Sequence, residues 1–388
     1  MTTILLINFS LLLIYTYAGY PLMLWCLQIG RRNSHATQTP GLWPDATLVI
    51  PVHNGAAVLP GKLHNLAKVS YPGPLSVLFV LDGCTDSSRS IIEAATDGEL
   101  KFPIDIYESP QRIGKEAALK NAVSNVNSET LIFSDADAML QPNTINELVK
   151  ALCDDKVGVA CGQEIHKTSN RLGAGEGQGY FYRYENLIKR MQSTVSSMTY
   201  VQGGVFAMKK DLYSFNLKPG CTQDGIIAFH AVLNGKQVRH VPSAVSEEGY
   251  DISTAKDFSR RVRTICRAFY SIICQPRIFL PWRTGFYGIH VLSHRILRWF
   301  TIPLMATVFF LTAMHANESS IVLAYFVLQL LFYAFAALGY FLEVVERRLK
   351  IPYICYYFMY LHIAAFFAIT QVMLGRRVVT WQPTAAQE

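Results

Sequence analysis

From Ile4 to Gly30 the chain carries no charged residue, and Arg31 and Arg32 follow at once. A membrane-spanning helix needs about 20 mostly apolar residues, so this segment is read as an anchor. A secretory signal would bring a basic start and a small-residue cleavage site; the segment opens Met1-Thr2-Thr3, without charge. Three further apolar runs close the chain, Trp299–Met314, Ile321–Leu342 and Pro352–Leu374. The first is short and is expected to begin inside the basic-aromatic stretch before it. The composition agrees: 51% apolar and 16% charged residues, against about 25% charged in an ordinary soluble domain.

Lysines and arginines concentrate on the cytoplasmic side of spanning helices. Arg31 and Arg32 therefore place the region after the anchor in the cytoplasm, on the inner face of the plasma membrane. The Lys/Arg-free loop His315–Ser320 belongs outside, and Arg347, Arg348 and Lys350 belong inside. Arg376 and Arg377 break the pattern; either Pro352–Leu374 is re-entrant or the tail lies along the interface. The expected organisation is an anchor at 1–32, a cytoplasmic globular domain at 33–275, an interfacial basic and aromatic segment at 276–298, about three spans within 299–375, and a tail at 376–388.

Thirty-five basic and 28 acidic residues give a net charge of +7 without a Lys/Arg block of five, which argues against a nucleic-acid partner. The eight cysteines form no CxxC pair, so neither a zinc site nor a disulfide framework is indicated, and reduced thiols are expected.

The globular stretch alternates short apolar strands with helices. Ala46–Pro51 reads as a buried strand, followed by a helix over Leu59–Lys68. Leu75–Leu81 is a second strand, ending in Asp82-Gly-Cys-Thr-Asp86, where Asp86 or Ser87 caps the next helix. Ile104–Tyr107 and Thr130–Ser134 are further strands, with a helix over Lys115–Val126 between them. Such alternation predicts an α/β fold whose parallel sheet is covered on both faces. Ligands of such sheets gather beyond the carboxyl ends of the strands, where Asp82, Asp135 and Asp137 fall. Asp82 is either an Asx-turn or cap residue, or a carboxylate accepting hydrogen bonds from a base or ribose. Asp135 and Asp137, spaced i, i+2, would point the same way in extended backbone and share one divalent ion. Gly114-Lys115 invites a phosphate-loop reading, but that motif needs Gly at position 109 and Ser or Thr at 116; the chain has Ser109 and Glu116. Arg112 and Lys115 read instead as cations near a sugar nucleotide, or as a solvated helix start.

In order along the chain stand Ile50-Pro-Val-His-Asn-Gly55, Asp82-Gly-Cys-Thr-Asp86, Arg112-Ile-Gly-Lys-Glu-Ala-Ala-Leu119 with Asn121, and Ser134-Asp-Ala-Asp137. Gln202-Gly203-Gly204, Thr222-Gln223-Asp224 and Arg260-Arg-Val-Arg263 follow, flanked by Gly19-Tyr-Pro21 early and Gly375-Arg-Arg with Thr380-Trp381 late. This series resembles the membrane-bound inverting glycosyltransferases of family 2, relatives of the cellulose, chitin and hyaluronan synthases. The resemblance implies a GT-A fold, a Rossmann-like mixed sheet with helices on both faces, plus transmembrane helices. It implies transfer of a sugar from a nucleotide donor, UDP-linked by expectation, to a lipid-linked or growing glycan acceptor in cell-envelope or exopolysaccharide synthesis. Membrane lipids and polysaccharide-assembly proteins are the further partners it implies.

Carried onto this chain, the resemblance makes Pro51 part of the uracil-side wall with Asp82 as its acceptor. Asp135 then contacts the donor, Asp137 coordinates Mg2+ or Mn2+, and Gln202, Gly203, Gly204 and Gln223 line the acceptor or donor pocket. Asp224 matches the general base. A sugar hydroxyl is a weak nucleophile, so a carboxylate must take its proton during attack; the alternative for Asp224 is a helix cap. Arg260, Arg261, Arg263 and Arg267 read as diphosphate ligands, Arg263 foremost, or as a helix on anionic headgroups.

Two departures stand out. Gln223 replaces the Glu usual before the catalytic Asp. Arg260 and Thr264 replace the Gln and Trp of the processive Gln-x-x-Arg-Trp signature, which puts polymer synthesis in doubt. The rival readings are a synthase charging polyprenyl phosphate with one sugar, and a non-catalytic nucleotide-sugar-binding membrane component; the latter predicts loss of Asp137 or Asp224.

Overall fold

A computed structural model describes residues 2–29, 39–96, 100–168, 174–213, 217–250, 254–345, 347 and 349–376. Arg31, Arg32, Arg348, Arg377, Thr380 and Trp381, with their share of the orientation argument and of the resemblance, lie outside the described residues.

One eight-stranded sheet organises the globular part. Its strands are β1 (Ala46–Val52), β2 (Leu75–Asp82), β3 (Ile104–Ser109), β4 (Thr130–Phe133), β5 (Ala138–Leu140), β6 (Val157–Thr168), β7 (Phe206–Lys209) and β8 (Gln237–Tyr250). Their spatial order is β3-β2-β1-β4-β7-β6-β8-β5. The four strands read from the sequence are mutually parallel. Beyond β4 the sheet turns mixed, because β7 runs antiparallel to both β4 and β6. The all-parallel expectation therefore holds for the first half only, and the mixed GT-A arrangement holds for the whole.

The parallel half is apolar on both faces, as burial under helices on each side requires. Along β1 and β4, Val49, Leu131 and Phe133 point into one core cluster with Ala118 and Leu119. Leu48, Ile50 and Ile132 point into the other, against Leu59, Ile92 and Ile145. Each such fully buried side chain contributes about 1.5–3 kcal/mol relative to exposure, so register along these strands is strongly held. A slip of one residue would exchange the two cores.

Among the described residues, three helices are long and apolar enough to cross a membrane: Thr2–Gln28, Ser320–Val344 and Lys350–Met373. A bent pair, Tyr287–Trp299 followed at 61° by Thr301–His315, makes a fourth if it counts as one span. The short run Trp299–Met314 thus does extend back into the basic-aromatic stretch, with a bend at the join. Lys350–Met373 is an unbroken helix, which fits a span better than a re-entrant loop.

Packing runs continuously from the sheet toward these helices. One core cluster includes Ala268 and Ile272 of the Thr254–Cys274 helix, Trp299, and Ala365 and Ile369 of the last helix. Polar contacts follow the same seam: Arg261 Nη2 donates to Tyr357 Oη at 3.0 Å, and Tyr360 Oη donates to Asp257 Oδ2 at 3.1 Å. Tyr20 and Leu24 of the first helix pack against Ile188, Met191 and Val195. The expected boundaries near 32 and 275 are therefore crossed by side-chain packing.

Candidate active site

The carboxyl ends of β1 and β4 open into a cleft of about 380 Å3. At the end of β1, Pro51 lines it, and Asn54 follows in left-handed backbone (φ 50°). That turn is stapled to the loop after β2. His53 Nδ1 lies 2.7 Å from the Asp82 carbonyl, Gly55 N donates to Ser88 Oγ at 2.9 Å, and Ala56 N donates to Asp86 Oδ2 at 2.9 Å. Asp86 Oδ1 also accepts from Ser88 N at 3.1 Å, at the start of the Ser88–Thr96 helix, as its capping reading required.

Asp82 does not face the cleft. It is buried, and its two carboxylate oxygens accept the backbone N–H groups of Ile113 and Gly114 at 2.8 and 2.9 Å. It braces the loop that leads into the Lys115–Ser124 helix. Gly83 allows that approach: its φ is +60°, and a Cβ there would lie 2.5 Å from Arg112 N. Neither Asp82 nor Arg112 is among the cleft-lining residues, so the expected base-contacting carboxylate is here a turn-holding one. Its partners lie 31 and 32 residues further along the chain, so the brace is long-range and not a local Asx-turn.

Lys115 does reach the cleft. Its Nζ lies 2.5 Å from Asp135 Oδ1. Burial works against the ammonium, but Asp135, Asp224 and the hydrogen bond to Asp135 outweigh it and hold its pKa above the usual lysine value. Backbone after β4 is not extended as expected; a turn at Ala136 and Asp137 separates it from β5. Both acids still line the cleft. The turn is held from beneath by Lys62, which is fully buried and donates to Ser134 Oγ, the Asp135 carbonyl and the Ala138 carbonyl at 2.8, 3.1 and 2.5 Å. Burial brings the Lys62 pKa down to about 8, against the pull of Asp137, Asp135 and Glu248.

The antiparallel half supplies the opposite wall. Gln202 and Gly203 line the cleft, whereas Gly204 sits behind them, its carbonyl accepting from Ser134 Oγ at 3.0 Å. Gly203 approaches so closely that a Cβ would lie 3.0 Å from Asp135 Oδ2. Gly204 N donates to Glu164 Oε1 at 2.7 Å, and Gln202 Nε2 donates to Glu164 Oε2 at 3.2 Å. Glu164 on β6 and Glu248 on β8 thereby join Asp135 and Asp137 in the cleft. Burial and the neighbouring carboxylates Glu164, Asp137 and Asp135 push the Glu248 pKa up to about 9. Burial and Asp135 likewise raise that of Asp137. Sequence reasoning missed Glu164 and Lys62, since neither stands in a recognisable motif.

Thr222, Gln223 and Asp224 start the Gln223–Leu233 helix. Thr222 holds the N-cap position and Asp224 sits in the first turn, so the cap alternative does not describe Asp224. Gln223 is buried, with Nε2 3.4 Å from Tyr213 Oη and Oε1 unpartnered among the described residues. Burial is the main cause that raises Asp224 to about 6; Lys115 opposes it, and Asp135 and Glu116 add to it. From the Thr254–Cys274 helix, Arg260, Arg263 and Arg267 line the cleft at i, i+3, i+7 spacing. Arg267 also pairs with Glu116 and donates to the Cys221 carbonyl at 2.7 Å. Arg261 points elsewhere, to Asp257 and Tyr357. The basic run thus divides, three residues to the cleft and one to the membrane-side helix.

A divalent cation fits this donor set. Hard carboxylate oxygens crowd together, and burial, with neighbouring carboxylates adding to it, raises the pKa of Asp137, Glu164 and Glu248. Among the described residues no three His, Cys, Asp or Glu side chains converge on a ready-made metal cage. That suits an ion held by one or two carboxylates and completed by phosphate oxygens of a ligand.

Comparison with known proteins agrees with this geometry. Residues 47–215 match the sequence model of glycosyl transferase family 2. An N-acetylglucosaminyltransferase of Rhizobium sp. (strain N33) is 30% identical over 124 residues, which are 31% of this chain and 27% of that protein. Another from Mesorhizobium japonicum is 28% identical over 123 residues, 31% of this chain and 28% of that protein. The chain thus aligns with under a third of these relatives' length. A mannosyltransferase from Pyrobaculum calidifontis, solved with GDP-Man and Mn2+, superposes with a TM-score of 0.68 at 18% identity, covering 97% of this chain and 100% of that one. That likeness is one of fold, and it extends through the apolar helices.

Proposed function

We propose that this chain is a membrane-anchored inverting glycosyltransferase that moves a sugar from a nucleotide-sugar donor to an acceptor presented at the membrane. The observation that carries the reading is the placement of Asp224. It lines the same cleft as Asp135 and Asp137, from a helix packed against β6 and β8 of the other half of the sheet.

In this mechanism an acceptor hydroxyl attacks the anomeric carbon, its proton passes to Asp224, and the bond to the donor's diphosphate breaks in the same displacement. A carboxylate titrating near 6 is matched to that task, because it is ionised at neutral pH and basic enough to accept the proton. Asp135 and Asp137 would hold Mg2+ or Mn2+ against the diphosphate, and the ion would neutralise charge on the leaving group. Lys115, Arg260, Arg263 and Arg267 stabilise the same developing charge from fixed positions. Gln223 leaves no second carboxylate beside Asp224 in its motif.

UDP as the nucleotide and N-acetylglucosamine as the sugar are the first choices, the sugar on the strength of the relatives' names. Presence of both Asp137 and Asp224 in one cleft disfavours a non-catalytic binding component. The globular domain is assigned to the cytoplasmic side of the plasma membrane, where soluble nucleotide sugars are found. A cysteine placed at Asn317 should then react with an impermeant thiol reagent added outside intact cells, while native Cys84 stays unlabelled. The reaction itself is tested by incubating membranes containing the protein with a panel of labelled nucleotide sugars. Transfer from one donor, absent from membranes carrying Asp224→Asn, is expected; no transfer from any donor, with the nucleotides bound, would reverse the enzymatic reading.

A further inference from the structure

A second cavity, of about 340 Å3, shares Val201, Gln202, Thr222, Asp224, Arg260 and Thr264 with the cleft and includes neither Asp135 nor Asp137. The two spaces therefore adjoin at the proposed base. Where the cleft continues to the acidic turn, this cavity continues to Arg298 and Trp299 at the bend, and to Leu361 and Ala365 of the last apolar helix. An acceptor reaching Asp224 from the membrane would enter here.

Its charge is opposite in kind. Glu185 is the one carboxylate besides Asp224 among its described lining residues, and it is consumed locally. Arg298 pairs with it, and His294 Nε2 lies 3.2 Å from its Oε2. Arg261 is matched by Asp257 at 2.6 Å. Among the described residues, Lys189 and Arg295 form no ion pair with a carboxylate. Lys189 is only 7% exposed, yet among the described residues no hydrogen bond or ion pair reaches its Nζ. Arg295 lies over the Tyr200 ring, 4.8 Å from its centroid, and donates Nε to Thr199 Oγ1 at 3.3 Å, with no ion pair among the described residues.

A buried ammonium without a hydrogen bond or ion pair is costly, and burial lowers the Lys189 pKa against the more distant pull of Glu185 and Glu164. An arginine and a lysine around one cavity, neither in an ion pair among the described residues, are an arrangement suited to phosphate oxygens. The apolar contribution of Trp299, Leu361 and Ala365 is foreign to a site for a free inorganic ion and suits a hydrocarbon chain.

Resting on the glycosyltransferase reading, we propose that Lys189 and Arg295 bind the phosphate of a lipid-phosphate-linked acceptor, whose sugar hydroxyl is then presented to Asp224. The donor's diphosphate and the acceptor's phosphate would thus occupy separate cationic sites on the two sides of the base.

The test is binding of farnesyl diphosphate to the full-length protein in phosphatidylcholine nanodiscs, with EDTA present to suppress metal-dependent binding in the donor cleft. Saturable binding is expected, about tenfold weaker or more in Lys189→Gln and in Arg295→Gln, the scale of one charge-assisted hydrogen bond, and largely kept in Lys189→Arg. Farnesol, which lacks phosphate, and inorganic diphosphate, which lacks the chain, should each bind at least about tenfold more weakly than farnesyl diphosphate. Unchanged affinity in both Gln variants, or farnesol binding as tightly, would overturn the phosphate site. Inorganic diphosphate matching farnesyl diphosphate would overturn the lipid assignment. UDP with Mn2+, titrated on the same proteins, should bind all of them alike and thereby shows that the variants are folded. Failure of UDP to bind any of them, with farnesyl diphosphate binding intact, would instead defeat the donor-cleft reading alone.

Discussion

The two halves of the sheet build the two walls of the cleft by different means. In β1–β4 the strands are parallel and follow one another through crossover helices, so Pro51, Lys115, Asp135 and Asp137 reach the cleft from successive strand ends. In β5–β8 neighbours in space are distant in sequence: β7 lies between β4 and β6, and β8 lies between β6 and β5. That half contributes Glu164, Gln202, Gly203 and Glu248, and the helix at Gln223 brings Asp224 to the same side. The first wall binds through charge placed on loops after strands. The second combines a proton acceptor with glycines that permit close approach. Under the proposed function, the metal-held part of donor binding falls to the first wall and proton transfer to the second, and that division can be broken experimentally.

The largest effect is expected from metal removal, which acts on the first wall. EDTA should abolish transfer, and added Mn2+ should restore it; full activity under chelation would leave Asp135 and Asp137 without their proposed task. Next is Asp224→Asn, which retains the shape of the side chain but cannot accept a proton. Turnover should fall about 10²–10⁴-fold, with donor binding nearly unchanged in titrations with nucleotide sugar and metal. Near-normal turnover would move the base elsewhere, with Glu247 and Glu248 the first places to look.

Asp137→Asn should show the reverse emphasis, weakening metal-dependent donor affinity on the order of 10–100-fold as well as turnover. If Asp137→Asn and Asp224→Asn behave alike in the binding titration, the walls are not functionally distinct. The smallest effect is with pH. Asp224 titrates near 6, and kcat/KM reports the free enzyme's essential base. It should therefore fall about tenfold per unit below that value and level off above it. Stability runs the other way. A carboxyl raised in the folded state favours its protonated form there, so its contribution to stability is lost as pH rises from its ordinary value of 3.8 through about 6. A profile flat from pH 5 to 8 would remove Asp224 from the role.

Legibility followed the same division. The strands β1, β2, β3 and β4, the helices between them and the apolar helices at the two ends were readable, because each is a local hydrophobic pattern of its own period. So were Lys115, Asp135, Asp137 and Asp224, each carried by a short motif. Asp82 shows the limit. Its position after a strand suits a ligand contact and a turn brace equally, and only the two backbone N–H groups of Ile113 and Gly114 decide between them. The extended Asp135–Asp137 segment was likewise a local assumption that failed. The buried ammonium of Lys62 draws Ser134, Asp135 and Ala138 around itself, and the chain turns to satisfy it.

By itself the sequence determined what depends on neighbours along the chain: where apolar runs lie, which strand ends carry acids, and which residue types are present to move a proton. Tertiary structure alone decided which charges meet. Glu164 and Glu248 enter the cleft because β6 and β8 pair in parallel across a long connection. Lys189 makes no ion pair among the described residues, because the Glu185 carboxylate, one turn before it, is taken by Arg298 from a segment more than a hundred residues away. Electrostatic interaction depends on distance and burial, and neither is a property of sequence separation.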